Sequence, residues 1–469
     1  MLLTFLVISV ISLVVALAAT REKILHAAVL GFFILQAGIA AWSIANIGRT
    51  EFEFFTFDTL GIVYFVMMSA MGLLCAWKSI AYLDEENLRQ KKIYFVSLIM
   101  LDIALAGVYF SNNIAVSWIF LEATTVATTA LIYHRRSRKS LEATWKYIFV
   151  SSVGIAIAYL GILMFSTVAH SAGETDLSYR WLHGAVAAGN PVYLKLAFIF
   201  ILVGYSAKME LFPLYSVGVD ANHASPAPAS AFLSSAMAGG GFVAVFRVYR
   251  LMEGNPEVMV WGRHVMLLAG VLSLLVAAVY MGRTNNYKRL LAYSTVENSG
   301  LMALGLGLGG LGVWAAVLHS MGHTIIKGVM FLQISVAGKM YGTYKIGRIG
   351  NYYMADGIGS LVLACGVIGL LALPPSILFR SEYLMLTEGF GSGLWWLMIP
   401  VCLLLIVIMY WISSRILPIL GRPMDMGKVA LHKKNTAMST VLLCLLAAVF
   451  VFGLWQSPWL VGLIDSIVK

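Results

Sequence analysis

Charged side chains stand where hydrocarbon should surround them. Glu122 lies within the apolar stretch 113–133, and Lys208 within 193–215. Glu297 and Glu382 occupy later apolar stretches, 175 and 174 residues further on. An ionised group at the centre of a bilayer costs at least about 2.5–3.5 kcal/mol, so such residues serve charge movement or pairing. Their recurrence at a near-constant interval predicts two similar halves. Glu122 falls about nine residues into its helix, near mid-membrane at about 1.5 Å per residue. Its neighbours from Trp118 to Thr125 bring no countercharge. It needs a partner from another helix or a proton of its own. Lys208 is the natural candidate, in a functional or a purely structural ion pair.

A second set lies between His319 and Lys327. Spacings of four and four put His319, His323 and Lys327 on one helical stripe. An imidazole accepts a proton on one nitrogen while donating from the other. The stripe covers about 12 Å of helix, enough for several proton steps. Three readings fit it: a relay, a pair of zinc ligands, or packing. The relay is preferred, because no Glu-x-x-His context or third carboxylate ligand accompanies the histidines. No metal is expected. Asp102 and Lys146 are pathway residues or interhelical contacts. Arg247 and Arg250, near the end of an apolar stretch, are expected to snorkel to the interface. Gly239, Gly240 and Gly241 give either a close helix approach or a flexible point.

The elements that must position these residues are membrane helices. Of 469 residues, 60% are hydrophobic and 12% charged, and the mean hydropathy is +0.86. Apolar runs and breaker residues predict about fourteen spans, each able to cross roughly 30 Å of hydrocarbon. They are 2–19, 24–48, 58–83, 93–110, 113–133, 143–168, 193–215, 226–252, 262–283, 288–309, 312–337, 356–388, 394–418 and 436–456. The expected class is an all-α polytopic membrane protein. The first run has no basic segment ahead of it and is expected to be retained as a helix. Between the fourth and fifth spans only Ser111-Asn112-Asn113 is available as a turn. Proline breaks are expected in the seventh span, at Pro213, and in the twelfth, at Pro374-Pro375. Interrupted helices at matching places in two halves point to a transport site. The domains predicted are helices 1–3 (1–92), a first five-helix repeat (93–252), a second, inverted repeat (262–418) and a last helix (436–456).

The net charge of +10 and pI of 9.3 reflect loops rather than a nucleic-acid surface. Arg21, Lys23, Arg89, Lys91, Lys92, Arg135, Arg136, Arg138, Lys139, Arg283, Lys288, Arg289, Lys339, Lys345, Arg348, Arg415, Arg422, Lys428, Lys433 and Lys434 share one set of alternate loops. The opposite loops hold little beyond Arg49, Arg180, Arg250 and Arg263. The positive-inside rule places the rich set in the cytoplasm and both termini outside. Cys75, Cys365, Cys402 and Cys444 fall within apolar runs without a Cys-x-x-Cys pair, so they read as core residues. Electrons, if involved, travel on other subunits, and no cofactor is expected here.

Several stretches in order carry a resemblance. They are 121–125 (LEATT), 140–147 (SLEATWKY), 288–298 (KRLLAYSTVEN), the His319/His323/Lys327 stripe, and 373–375 (LPP) followed by Ser381-Glu382. Over roughly 58–390 the chain resembles the antiporter-like, proton-conducting membrane subunits of complex I and group 4 hydrogenases, among them the F component of hydrogenase-4 and formate hydrogenlyase. The resemblance implies fourteen helices with inverted five-helix repeats. It also implies an essential Glu122–Lys208 pair, a central hydrophilic axis of His319, His323 and Lys327, and a terminal charge at Glu382 or Arg380. After Lys208 the chain departs from the family. Where a Trp-Leu-Pro-Asp-Ala-His segment is usual, it reads Ser216-Val217-Gly218-Val219-Asp220-Ala221-Asn222-His223. A lysine that some relatives carry early in the eighth helix is also missing, and the long lateral helix of one complex I subunit is not expected.

The function expected is translocation of H⁺, or of Na⁺ in its place, within a redox-driven complex. Its partners would be other membrane subunits, a peripheral redox module and the lipid bilayer, in a bacterial or archaeal cytoplasmic membrane. Three rivals stay open: a subunit of a multisubunit Na⁺/H⁺ antiporter, a membrane coupling subunit for inorganic-carbon uptake, and a non-conducting scaffold. The orientation is directly testable. With the native cysteines replaced, Ser137→Cys should resist an impermeant thiol reagent added to intact cells and react in inverted vesicles. Labelling from outside would reverse the topology.

Overall fold

The computed structural model describes residues 1–424 and 435–469. Lys428, Lys433 and Lys434, counted above as loop charges, lie outside the described residues. The chain divides into two compact units, Met1–Val265 and Met266–Lys469.

The first unit contains α1 (Leu2–Ala18), α2 (Glu22–Ile44), a short hairpin of β1 (Thr50–Glu51) and β2 (Phe55–Thr56), α3 (Thr59–Tyr82), α4 (Leu88–Phe110), α5 (Ile114–Ile132) and α6 (Arg138–Ser171). After these come α7 (Tyr179–Ala188), α8 (Pro191–Met209), α9 (Ser216–Ala224), α10 (Ala227–Phe232), a π-helical turn at Leu233–Met237 and α11 (Ala238–Met252). Helix α12 (Pro256–Met281) leads into the second unit. There follow α13 (Tyr287–Leu308), α14 (Leu311–Tyr341), α15 (Tyr352–Ala355), α16 (Gly357–Leu370), α17 (Ile377–Gly391), α18 (Trp395–Ile416), α19 (Pro418–Gly421), α20 (Thr436–Leu454) and α21 (Pro458–Val468).

Among the described residues, eleven helices are long and apolar enough to cross a membrane. The other predicted spans correspond to α1, to α13 and to the broken pair α16–α17. Polar caps begin the spans where apolar runs start. Asp58, Asn87, Asn113, Ser137 and Asn190 each accept a first-turn N–H, at α3, α4, α5, α6 and α8. The apolar stretch of Ala227–Met252 is wholly buried, whereas that of Trp395–Gly421 is only 22% buried. The exposed Trp395, Leu403, Ile406 and Tyr410 on α18 therefore form a face that a bilayer covers.

Both expected breaks are present. Helix α8 ends at Glu210 in the left-handed region (φ 58°), and the Leu211 N–H reaches back to the Ser206 carbonyl at 2.9 Å. Ser206 Oγ then accepts the Leu214 N–H at 3.3 Å, beyond Pro213. In the second unit Ala372 is left-handed (φ 46°), and the Leu373 N–H reaches the Ile368 carbonyl at 3.1 Å. The Phe212–Pro213 and Pro374–Pro375 bonds are both cis. Repetition extends to the helix starts. Asn113 and Asn286 cap α5 and α13 and form isolated bridges with Ser178 and Lys345.

These matches correct the constant interval read from the sequence. The caps lie 173 residues apart, the bridge partners 167 and the breaks 162, because the second copy has shorter connections. By cap register Glu122 corresponds to Thr295. Glu297 sits two residues on, about 200° around the helix. By break register Lys208 corresponds to Leu370, and Glu382 to Asp220. The two halves repeat their backbone, and of these charges only the acid shared by Asp220 and Glu382 recurs.

Arg247 does not snorkel. It is 8% exposed and donates to both Asp58 carboxylate oxygens at 3.0 and 2.9 Å. It also donates to the carbonyls of Val108 and Ser111 at 2.9 Å, and of Tyr109 at 2.5 Å. One guanidinium thus ties α11 to the α4–α5 turn and the start of α3, by the planar fork that only arginine offers. Arg250 pairs with Glu253 at 3.2 Å. Arg247→Ala should cost about 2–4 kcal/mol of stability, the lower part of the buried-pair range because Asp58 keeps some water. Arg250→Ala should stay within about 0.5 kcal/mol. Denaturant unfolding in detergent measures both.

Candidate functional site

In the first unit the site is built on α5, α6 and the end of α8. Lys208 is wholly buried in the last turn of α8. Its ammonium donates to Thr125 Oγ1 at 2.8 Å and to Tyr147 Oη at 3.2 Å, and it lies 5.3 Å from the Tyr147 ring centre. Thr125 Oγ1 in turn donates to Glu122 Oε2 at 3.1 Å, and Ser152 Oγ to Glu122 Oε1 at 3.0 Å. The direct Glu122–Lys208 ion pair expected from the sequence is therefore replaced by a bridge through one threonine hydroxyl. Thr125, one turn on in the same helix, gives Glu122 a neutral donor but no countercharge, as the sequence indicated. Glu122 is half-buried beside the exposed Ala123 and Val126, while Lys208 is sealed inside.

Glycines bring the backbones of α6 and α11 close to α8. Gly204 of α8 faces the Gly154 carbonyl of α6: a Cβ on Gly204 would stand 2.3 Å from that oxygen, and one on Gly154 would press on the Gly204 carbonyl at 3.2 Å. A Cβ on Gly241 would stand 2.5 Å from the Met209 nitrogen and 2.6 Å from the Lys208 carbonyl carbon. The glycine run of α11 is thus a close approach, and it abuts the break itself. The π turn one step earlier places Met237 Sδ 3.6 Å from the hydroxyls of both Thr128 and Tyr147. Such turns often mark functional sites.

The second unit gathers the other predicted residues. His319, His323 and Lys327 are buried on one stripe of α14. His319 Nε2 meets Asn298 Oδ1 at 3.1 Å, and its Nδ1 meets Ser381 Oγ at 2.9 Å. Asn298 Nδ2 donates to the Ser294 carbonyl at 2.6 Å, which turns its oxygen toward His319. Nε2 therefore carries a hydrogen. Nδ1 accepts from Ser381 in the neutral ring. In the cation it donates, and the Ser381 hydrogen turns to the Leu378 carbonyl 2.9 Å away. Rotation of one hydroxyl thus accommodates gain or loss of a proton.

Glu297, on α13, accepts from Ser294 Oγ at 3.2 Å and lies within electrostatic reach of Lys327. Lys327 donates to the Leu291 carbonyl at 2.9 Å. Among the described residues, none hydrogen-bonds the buried His323 Nε2. Glu382 and Arg380 are half-buried on α17, on either side of Ser381, and Glu382 lies within reach of the Glu297 charge. Lys146 is not in the cluster, because it is exposed and paired with Glu142 at 2.6 Å. Asp102 is buried on α4 with Gln36 of α2 as its polar neighbour, apart from the Lys208 bridge.

Thr125, Tyr147, Ser152, Asn298 and Ser381, which hydrogen-bond to the predicted residues, were not singled out from the sequence. Four of them fall inside or beside motifs already singled out, and only Ser152 left no signal.

Residues 111–409 match the family model described as NADH:quinone oxidoreductase/Mrp antiporter, transmembrane. A hydrogenase-4 component F homolog of Methylacidiphilum infernorum is 32% identical over 355 residues, covering 73% of this chain and 74% of that protein. A chain of the archaeal membrane-bound sulfane sulfur reductase superposes with a TM-score of 0.87 at 22% identity, over 99% of this chain and 95% of that one. A chain of Thermus thermophilus respiratory complex I superposes with a TM-score of 0.81 at 20% identity, over 97% of each. These likenesses establish the fold.

The glycine contact gives a prediction about the site's construction. Gly241→Ala should destabilise the protein by about 1–3 kcal/mol through overpacking against backbone that cannot yield. Gly38→Ala in α2, where no atom lies within 4 Å of an added Cβ, should instead stabilise by about 0.5–1 kcal/mol. Thermal unfolding of both variants compares them.

Proposed function

The chain belongs to the NADH:quinone oxidoreductase/Mrp antiporter transmembrane family, and on that premise we propose that it translocates protons as a membrane subunit of a redox-driven complex of the hydrogenase-4, formate hydrogenlyase or complex I type. The observation that carries the reading is the Lys208–Thr125–Glu122 bridge at a helix break. A buried ammonium whose direct partners among the described residues are two neutral hydroxyls depends on a more distant carboxylate for its charge. Neutralising Glu122, or drawing it outward, removes that support, and Lys208 sheds its proton. Restoring the carboxylate lets a new proton load. In the second unit Glu297, Lys327, His319, His323 and Glu382, with Arg380 beside it, form a separate proton-carrying set, in which Ser381 resets the histidine.

Residues 93–252 and 262–418 are taken as the five-helix repeats, the second inverted, flanked by 1–92 and 436–456. The repeated caps and breaks support this. The loop charges support a cytoplasmic membrane location in a bacterium or archaeon, with both termini outside. The work would come from a peripheral redox module and neighbouring membrane subunits, since this reading gives the chain itself no cofactor. A Na⁺/H⁺ antiporter subunit is the alternative, which the 32% identity to a hydrogenase-4 component homolog disfavours.

Proton-gradient formation in inverted vesicles tests the bridge. Lys208→Ala, Glu122→Gln and Thr125→Val should each lower the rate about tenfold or more at unchanged complex abundance. The Lys208→Ala/Glu122→Gln double variant should be no worse than either single, because groups acting as one unit are non-additive. Multiplicative losses would assign the two residues to separate steps and end the bridge mechanism. His323→Ala should also slow translocation while leaving partner redox activity intact.

A further inference from the structure

The segment that departs from the family pattern has a structural use. Gly218, within Ser216–His223, leaves a notch that the Glu210 side chain fills. A Cβ on Gly218 would stand 2.7 Å from Glu210 Cδ and 3.0 Å from Oε1. Asn222 Nδ2 donates to Glu210 Oε1 at 2.7 Å. Glu210 is wholly buried. It is also left-handed (φ 58°), a conformation that an ordinary side chain adopts at a cost and that glycine or asparagine would adopt more readily.

The break itself does not require an acid there. In the second unit the matching residue, Ala372, holds the same left-handed turn (φ 46°) and the same backward hydrogen bond with no polar side chain. The carboxyl of Glu210 is thus additional to the fold's need. It stands two residues beyond Lys208, and its charge, like that of Glu122, reaches the Tyr147 hydroxyl. That hydroxyl is one of the two acceptors of the Lys208 ammonium.

We infer that Glu210 is a second proton-carrying carboxyl of the Lys208 site, seated by the Gly218 notch and the Asn222 amide, and that it accepts the proton Lys208 releases. The inference rests on the proton-translocating reading above. In the transfer, Tyr147 Oη takes a proton from Lys208 Nζ while its own hydrogen, which lies toward Met237 Sδ at 3.6 Å, swings to the Glu210 carboxylate. The ammonium becomes an amine, the carboxylate becomes an acid, and the tyrosine is unchanged. Glu122 and Glu210 then divide two tasks. The half-buried carboxylate governs when the lysine holds its proton, and the sealed one receives it.

Glu210→Gln keeps an oxygen for Asn222 to bond, so a purely structural glutamate would tolerate it. Measured in inverted vesicles holding the intact complex, E210Q should translocate protons about tenfold more slowly or worse at normal abundance, and Glu210→Asp should recover part of the rate. Gly218→Ala should reproduce the E210Q defect by filling the notch. Wild-type translocation by E210Q, with Lys208→Ala and Glu122→Gln defective beside it, would overturn the inference alone. Wild-type rates in all three would remove the underlying reading as well. If E210Q does not accumulate, the unaltered complex is treated with a hydrophobic carbodiimide, which adds to protonated carboxyls in apolar surroundings. An adduct at Glu210 by peptide mass spectrometry is the expected result, and no adduct there would refute the assignment.

Discussion

A buried ammonium must be compensated, and the first unit is arranged around that need. Among the described residues, no carboxylate lies within direct bonding distance of Lys208. The lysine has a threonine oxygen, a phenol and the face of an aromatic ring. Each comes from a different helix from its own, so α5, α6 and α8 must meet within a few ångströms. Glycine contacts at Gly154 and Gly204 bring α6 and α8 together, Gly241 brings α11 against α8, and the break after Lys208 frees the chain to turn away. The compensation is partial by construction. Full pairing would fix the charge, and none would expel it. A hydroxyl between lysine and carboxylate gives an intermediate interaction that a modest change at Glu122 can tip.

The second unit joins its buried polar side chains through different groups. Its connections run through an amide, an imidazole and a serine hydroxyl, which hold no net charge when the ring is neutral. Asn298 fixes one face of His319, and Ser381 answers to either state of the other. Two copies of one backbone plan therefore carry unlike chemistry. The copied parts, Asn caps, bridges and left-handed breaks, satisfy backbone groups. The parts that differ are side chains, on which the fold places little demand.

This distinction explains what was legible in the sequence. The approximate positions of the spans, the turn at Ser111–Asn113 and both proline breaks follow from hydropathy and backbone chemistry, and they were readable, whereas exact limits such as those of α6 were not. The His319/His323/Lys327 stripe followed from helical spacing alone. The Thr125 bridge was not readable, because threonine is an ordinary residue in an apolar helix and its role depends on where α8 ends. Arg247 misled for a similar reason. Its position near a helix end resembles a snorkelling site until Asp58, distant in sequence, is seen beside it. The interval of 175 and 174 residues misled because insertions between two copies shift register gradually, and charges two residues apart face different ways.

The backbone contacts around Lys208 also bear on kinetics. With α8 pressed against α6 and α11 where glycines leave no side chain to deform, sliding of these helices would meet hard repulsion. The moving parts are then the end of one lysine and a few hydroxyl rotors. Such rearrangements are far quicker than the microsecond-to-millisecond shifts of whole elements. Turnover would accordingly be paced by whatever displaces Glu122 at the rim. This chain would act as a fast follower, and its throughput would track the supply of that stimulus rather than any internal clock.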